Sequence, residues 1–214
     1  MDQTVSNPMS DETRMLQELV AKFVDHDLLP LEPAVLRREA QGQPYKLVED
    51  EEQALLARCR ELGLWGLDVP ESMGGANLPL QTLALVEEEL GRACVPFVIP
   101  PDSPNLHMML AVATPAQRER YLAPYASGEM RSAVAISEPG AGGDPAGMTT
   151  RAVRDGDQWV IDGRKIWVSG APRADFIILM ARTGAGKRQE GISAFIVERG
   201  TPGYVIEREI PMIG

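Results

Sequence analysis

Near residue 129 the hydrophobic period of the chain changes, and no single layer of secondary structure can satisfy both sides of that change. Upstream, apolar residues recur at helical spacing. In "MLQELVAKFVDHDLL", Met15, Leu16, Leu19, Val20, Phe23 and Val24 fall on one face of a 3.6-residue helix. Ser10 or Asp11 can cap that helix, and Pro30 stands near its end. A second helix is expected over residues 48–62, stopped by Gly63, and a third over 80–93, carrying Leu83, Ala84, Val86, Glu87 and Leu90. The "EEE" run in the third reads as a solvated face. "TPAQRERYLAPYASGE" presents Thr114 as a cap, Pro115 at the first helical position and Gly128 as a stop.

Downstream, "RSAVAIS", "TTRAVRD", "QWVIDGRKIWVS", "DFIILMAR", "ISAFIVE" and "YVIERE" are short, rich in β-branched and aromatic residues, and separated by turn chemistry. Asp155-Gly156 and Asp162-Gly163 are hairpin-type dipeptides. Regularly spaced short strands predict an antiparallel sandwich or barrel. The fold class is therefore α+β, with an all-helical domain over 1–128 followed by a β domain over 129–214.

Composition narrows the function classes. With 44% hydrophobic and 24% charged residues the chain can fill a core. No window approaches about 18 consecutive apolar residues, so no membrane insertion is expected, and the polar opening "MDQTVSNPMSDETRM" is not a secretory signal. A cytoplasmic protein is the simplest expectation. The net charge of −10 argues against nucleic acid as a partner, although local N–H groups can still hold an anionic small ligand. His26 and His107 lack ligand spacing, so no metal is expected, and Cys59 and Cys94 read as reduced core residues.

One stretch resists a bland reading. "AVAISEPGAGGDPAGM" ends an apolar strand at Glu138-Pro139 and follows it with a glycine-rich, charged loop. It fails the dinucleotide fingerprint, because Gly140-x-Gly142 is followed by Gly143-Asp144-Pro145 and no helical pattern comes next. "RTGAGKRQEG" fails the phosphate-loop pattern, with Ala181 and Arg188 at its required glycine and hydroxyl positions, and reads as a hairpin loop.

"ISEPGAGGD" followed by "GDQWVIDGRKIWVSG" resembles the paired motifs of the acyl-CoA dehydrogenase family, close to T-E-P-x-A-G-S-D and I-x-G-x-K-x-W-I-T-N. "LGLWGLDVPESMGGANLPLQTLALVEEELGRA" resembles the family's early helical section, and "QRERYLAPYASGE" the segment leading into its first strand. The resemblance runs from about residue 12 onward. It implies a helical domain, a middle β domain and a C-terminal four-helix bundle, with FAD between the last two and part of its site on a neighbouring subunit. The bundle does not match anything in these 214 residues.

The resemblance also assigns roles. Val134, Ile136, Ser137, Gly142, Gly143, Trp167 and Ser169 become FAD candidates, and Gly143 borders the acyl-CoA. Ser137 and Ser169 keep the hydroxyls of the family's threonines, and Trp167 matches the tryptophan packed beside the isoalloxazine. Gly142 and Gly143 are expected to adopt conformations other residues avoid, aiming their amides at the ligand. Glu138 is expected to satisfy loop N–H groups, with Pro139 ending the strand. Gly143 replaces a serine, removing a contact of about 1 kcal/mol, and Gly170 replaces an asparagine, loosening a strand end.

The implied reaction is α,β-dehydrogenation of an acyl-CoA thioester, with an electron-transfer flavoprotein as acceptor. Its base is a glutamate of the bundle, so no catalytic residue is nominated in this chain, which alone is expected to be inactive. A break inside the β domain would expose strand edges, which favours a fragment, or a chain completed by a homo-oligomer or complementing subunit. An oxidase-like flavoenzyme and a non-catalytic binding or assembly subunit of the same fold are the alternatives.

Overall fold

The computed structural model describes residues 10–101, 105–186 and 188–210. The chain forms two compact units, the first ending at Pro100 and the second running Pro101–Ile210. The change of period at residue 129 thus falls inside the second unit.

The first unit is helical. Helix α1 (Asp11–Phe23) starts at Ser10, whose hydroxyl accepts from Thr13 N at 3.1 Å. Helices α2 (Glu32–Ala40), α3 (Glu49–Leu62) and α4 (Leu80–Leu90) follow, and Gly63 ends α3 as expected. Val20, Phe23 and Val24 of the predicted face are buried with Leu28, Val35, Leu55, Cys59, Leu64, Val86 and Leu90. Met15 is the exception and is 69% exposed. Cys94, expected in a core, is exposed. The "EEE" run is not wholly solvated either, since Glu89 accepts from Gln17 Nε2 at 3.0 Å and joins α4 to α1. Helix α2 was not foreseen from the sequence.

In the second unit, helices α5 (Asn105–Val112), α6 (Pro115–Gln117) and α7 (Ala123–Ser127) precede the sheet. Thr114 caps α6 reciprocally with Gln117, and Gly128 closes α7. The two units share a device. A π turn over Val24–Leu28 brings Leu29 N to the Val24 carbonyl, and another over Arg118–Leu122 brings Ala123 N to the Arg118 carbonyl. A proline stands two residues beyond the end of each, Pro30 and Pro124. A proline cannot donate and crowds the carbonyl four residues back, so the wider turn absorbs it without ending the helix.

The sheet comprises β1 (Ser132–Ala135), β2 (Arg151–Asp155), β3 (Gln158–Asp162), β4 (Phe176–Arg182) and β5 (Ile192–Glu198). The α+β class holds, but the pairing is mixed where an antiparallel sheet was expected. β1 runs parallel to β4, with Ser132 opposite Phe176, and β2 joins β4 in parallel through Arg151 and Arg182. β2–β3 and β4–β5 are antiparallel. The connection from β1 to β4 carries a whole hairpin, long enough for a parallel return. Residues 163–169 and 204–209, both expected as strand, pair with nothing among the described residues as a ladder. Asp155-Gly156 makes its hairpin, but Asp162-Gly163 does not. Gly163 instead lies against Thr150, where an added Cβ would come within 2.3 Å of Oγ1 and 2.7 Å of Cα.

One face of the sheet carries the helices. Phe176 packs its ring 5.2 Å from Tyr121 and 6.2 Å from Tyr125, and buried Asn105 donates to Ser132 Oγ at 2.7 Å. The other face buries Ala133, Ala135, Ala174 and Ile177 beneath Val168 and Tyr204. Among the described residues no helix is long and apolar enough to cross a membrane.

Candidate functional site

The end of β1 is where the two sequence motifs meet. Glu138 N donates to the Ala141 carbonyl at 2.9 Å and Ala141 N returns to the Glu138 carbonyl at 3.1 Å, closing a tight turn. Asp144 Oδ1 accepts from Ala146 N at 3.1 Å, which shapes the following loop. Arg182, from β4, braces that loop by donating to the Ala146 carbonyl at 2.6 Å.

Beneath this turn lies an ionic core. The Glu138 carboxylate, only 4% exposed, accepts from Thr149 N at 2.6 Å, Thr149 Oγ1 at 2.8 Å and Thr150 N at 2.9 Å. Lys165 Nζ approaches it at 2.8 Å and donates to the Ile136 carbonyl at 2.9 Å. Burial alone would raise the carboxyl pKa, but the Lys165 ammonium and the threonine N–H groups outweigh it and hold Glu138 well below the usual carboxylate range. Glu138 therefore does what the loop required of it. Lys165 was not singled out from the sequence, although a carboxylate at the end of a buried strand calls for a cation and Lys165 directly precedes the apolar run Ile166-Trp167-Val168.

The second motif is pinned beside the first. Ile166 N donates to the Ser137 carbonyl at 2.9 Å, and Val168 packs on the cluster of Ala133 and Ala135. Between them Trp167 is held at φ 58°, with its side chain 61% exposed. A bulky residue in the left-handed region is a genuine outlier and costs about 1–2 kcal/mol. Such strain, with an aromatic ring left in the open, gathers at functional sites. Ser169 is exposed two residues on, and Ser137 is half-buried.

The remaining candidates fall differently. Gly142 and Gly143 are exposed, neither is left-handed, and an added Cβ would meet no atom within 4 Å. The chain itself does not require glycine there, contrary to expectation. Gly170, expected to loosen a strand end, instead sits in a turn at φ 76°, its carbonyl accepting from Arg173 N at 2.9 Å. Val134 is half-buried opposite Ile178, and strand alternation puts it on the helix-bearing face, away from Val168. Ile136 contributes its carbonyl to Lys165. Among the described residues no intrachain hydrogen bond engages the side chains of Ser137, Trp167 and Ser169 or the amides of Gly142 and Gly143.

Two family descriptions match this chain, the acyl-CoA dehydrogenase N-terminal domain over residues 10–129 and the acyl-CoA dehydrogenase middle domain over 133–214. The chain belongs to the acyl-CoA dehydrogenase family. It is 38% identical to (R)-benzylsuccinyl-CoA dehydrogenase of Thauera aromatica over 96% of its own length and 53% of that protein. It is 32% identical to the mitochondrial isovaleryl-CoA dehydrogenase of Pongo abelii, across 97% of this chain and 48% of the relative. A solved acyl-CoA dehydrogenase-type protein from Mycobacterium abscessus superposes with a TM-score of 0.82 at 30% identity, covering 95% of this chain and 54% of the other. The chain spans about half the length of the curated relatives it matches. In acyl-CoA dehydrogenase terms, the strained tryptophan and the β1 exit both lie in the middle-domain match.

Proposed function

We propose that this chain supplies the front part of the FAD and acyl-CoA site of an acyl-CoA dehydrogenase-type oxidoreductase. The observation that carries the reading is Trp167, strained and open to solvent beside the end of β1. The groups around it suit a flat, acceptor-rich cofactor. The hydroxyls of Ser137 and Ser169 and the amides of Gly142 and Gly143 are donors with no intrachain acceptor among the described residues. FAD, when bound, supplies the hydride acceptor for α,β-dehydrogenation of an acyl-CoA thioester.

The chain's own residues bind and orient. The Ser137 hydroxyl would hold the flavin ring system, where a fixed donor favours the charge that reduction places there. Ser169 would offer a second hydroxyl to the flavin, and the Trp167 ring would limit solvent access beside it. The Gly142 and Gly143 amides address phosphate or ring oxygens, and Gly143 borders the substrate. Val134 and Ile136 shape the strand that carries Ser137. The division of labour follows the two halves, 1–128 helical and 129–214 binding cofactor. A homo-oligomer or complementing chain supplies the rest of the site, an electron-transfer flavoprotein takes the electrons, and the setting is cytoplasmic.

The test is flavin retention. The purified chain is mixed with FAD, gel-filtered, and its visible spectrum recorded beside Ser137→Ala and Trp167→Ala. Flavin absorbance that stays with the parent and falls in both variants is the expected result. A folded parent that emerges colourless, or variants that retain flavin as well as it does, overturns the reading. Gly143 favours a second reading, a binding or assembly role without turnover, because a serine would fit there and is not used. Flavin that acyl-CoA fails to bleach even after the chain is completed with a C-terminal bundle carrying the family's glutamate would select it.

A further inference from the structure

Residues 136–138 and 165–167 are far apart in sequence and meet at a small number of atoms. Lys165 Nζ donates to the Ile136 carbonyl at 2.9 Å, and Ile166 N donates to the Ser137 carbonyl at 2.9 Å. The lysine is held by Glu138 Oε1 at 2.8 Å, and the two side chains are 7% and 3% exposed. The same carboxylate collects both amides of Thr149 and Thr150, so one buried charge joins the strand end, the loop before β2 and the tryptophan segment. Met148 Sδ lies 3.9 Å from the ammonium on its remaining side.

Stability alone does not account for this arrangement. A buried ion pair is often matched or bettered by apolar residues of similar volume, because desolvating two charges offsets most of their attraction. Apolar side chains could not reproduce the bond from the ammonium to the Ile136 carbonyl, which is directional and sets register. Two residues beyond Lys165 stands Trp167, whose backbone strain is not offset by burial of its ring. Something adjacent has to over-determine that conformation. The Ile166 amide does so on one side and Val168 on the other.

We propose that Lys165 and Glu138 are positioning residues: Lys165, anchored by Glu138, clamps residues 165–167 to the end of β1 and so holds Trp167 left-handed with its ring presented. That the ring faces a flavin rests on the function proposed above. The clamp itself is a property of the chain without ligand, and it can be measured without one.

The measurement is amide hydrogen exchange of the purified chain, with FAD binding followed separately. In the parent, Ile166 N–H should exchange far more slowly than an open amide. In Lys165→Met, protection of Ile166 and of the Thr149 and Thr150 amides should fall at least about tenfold, while amides joining β4 to β5 change little, as expected of a local opening. FAD should bind at least about tenfold more weakly, because a strained ring no longer held in place lowers the competent fraction. Lys165→Arg, which keeps the charge, should recover part of both. Should Lys165→Met not fold, Glu138→Leu/Lys165→Met leaves no unpaired interior charge and carries the same test. Uniform loss across β4–β5 would make the pair merely structural and overturn the proposal. So would unchanged Ile166 protection, or rapid Ile166 exchange in the parent. A parent that binds no FAD yet shows the local loss would sink the flavin reading and leave the clamp standing.

Discussion

The left-handed backbone at Trp167 leads to an inverted expectation: glycine should replace this tryptophan with less loss of stability than alanine. Both substitutions discard the same ring, so the burial of the indole cancels between them. Alanine keeps a Cβ and with it the strain of about 1–2 kcal/mol that an L-residue meets at this φ. Glycine relieves the strain but gives the unfolded chain extra freedom worth about 0.4–1 kcal/mol. Taken at their midpoints, the two leave Trp167→Gly more stable than Trp167→Ala by about 0.8 kcal/mol. At an ordinary φ the entropy stands alone and the order reverses. The assay is a pair of thermal or urea unfolding curves, with glycine higher by roughly 1–4 °C for a chain of this size. Both variants should lose flavin, since neither carries a ring. An alanine variant as stable as the glycine one would refute the left-handed assignment, and with it the case that Trp167 is held under strain.

Gly143→Ser adds a hydroxyl where a Cβ meets no atom, so it should leave the unfolding midpoint unchanged and tighten FAD by about 1 kcal/mol, roughly fivefold, in a flavin-fluorescence titration. Gly163→Ala forces a methyl against the Thr150 backbone and should cost about 1–3 kcal/mol in urea unfolding; an effect near zero would mean the close approach is absent. Glu138 binds its proton less tightly in the folded than in the unfolded chain, so its contribution is present at pH 7 and declines as pH falls below about 5. Glu138→Gln should therefore be less stable at pH 7 yet lose less than the parent between pH 7 and pH 4, read from urea midpoints at each pH. Burial pushes the Cys59 thiol up to about 12, with Asp27 adding to it, whereas Cys94 is exposed. A thiol reagent at pH 8 should label one cysteine in the native protein and both after unfolding.

What the sequence made legible is what local chemistry decides. Thr114 with Gln117, Gly63 and Gly128 mark helix ends because caps are satisfied by residues three or four positions away. Helix α2 escaped because Pro30 reads as standing near the end of the first helix, whereas it is absorbed by a π turn and Pro33 occupies a first-turn position that needs no donor. The parallel pairing of β1 with β4 escaped because strand direction is set by the length and course of the intervening chain, which no strand pattern encodes. The site divides the same way. The motifs pointed to Ser137, Trp167 and Ser169, but nothing in the letters marks a tryptophan as left-handed, and its neighbours Ile166 and Val168 are pinned by contacts with β1-end residues far away in sequence. The Glu138–Lys165 pair is likewise a contact across the fold, visible only once the two motifs are brought together.

The two departures from the family pattern look alike as letters and differ in consequence. At Gly170 the backbone is left-handed, a conformation that glycine takes freely and asparagine tolerates better than most residues. Exchanging one for the other there keeps the turn, and the Arg173 amide keeps its acceptor, so the change has little reach beyond the loop. At Gly143 the backbone is ordinary and the space beside it is open, so the fold neither demands glycine nor excludes serine. The effect of the missing hydroxyl then falls on whatever approaches the loop from outside. On the FAD reading proposed above, only Gly143 of the two bears on binding, by removing a donor from a surface whose other donors, Ser137 and Ser169, are retained.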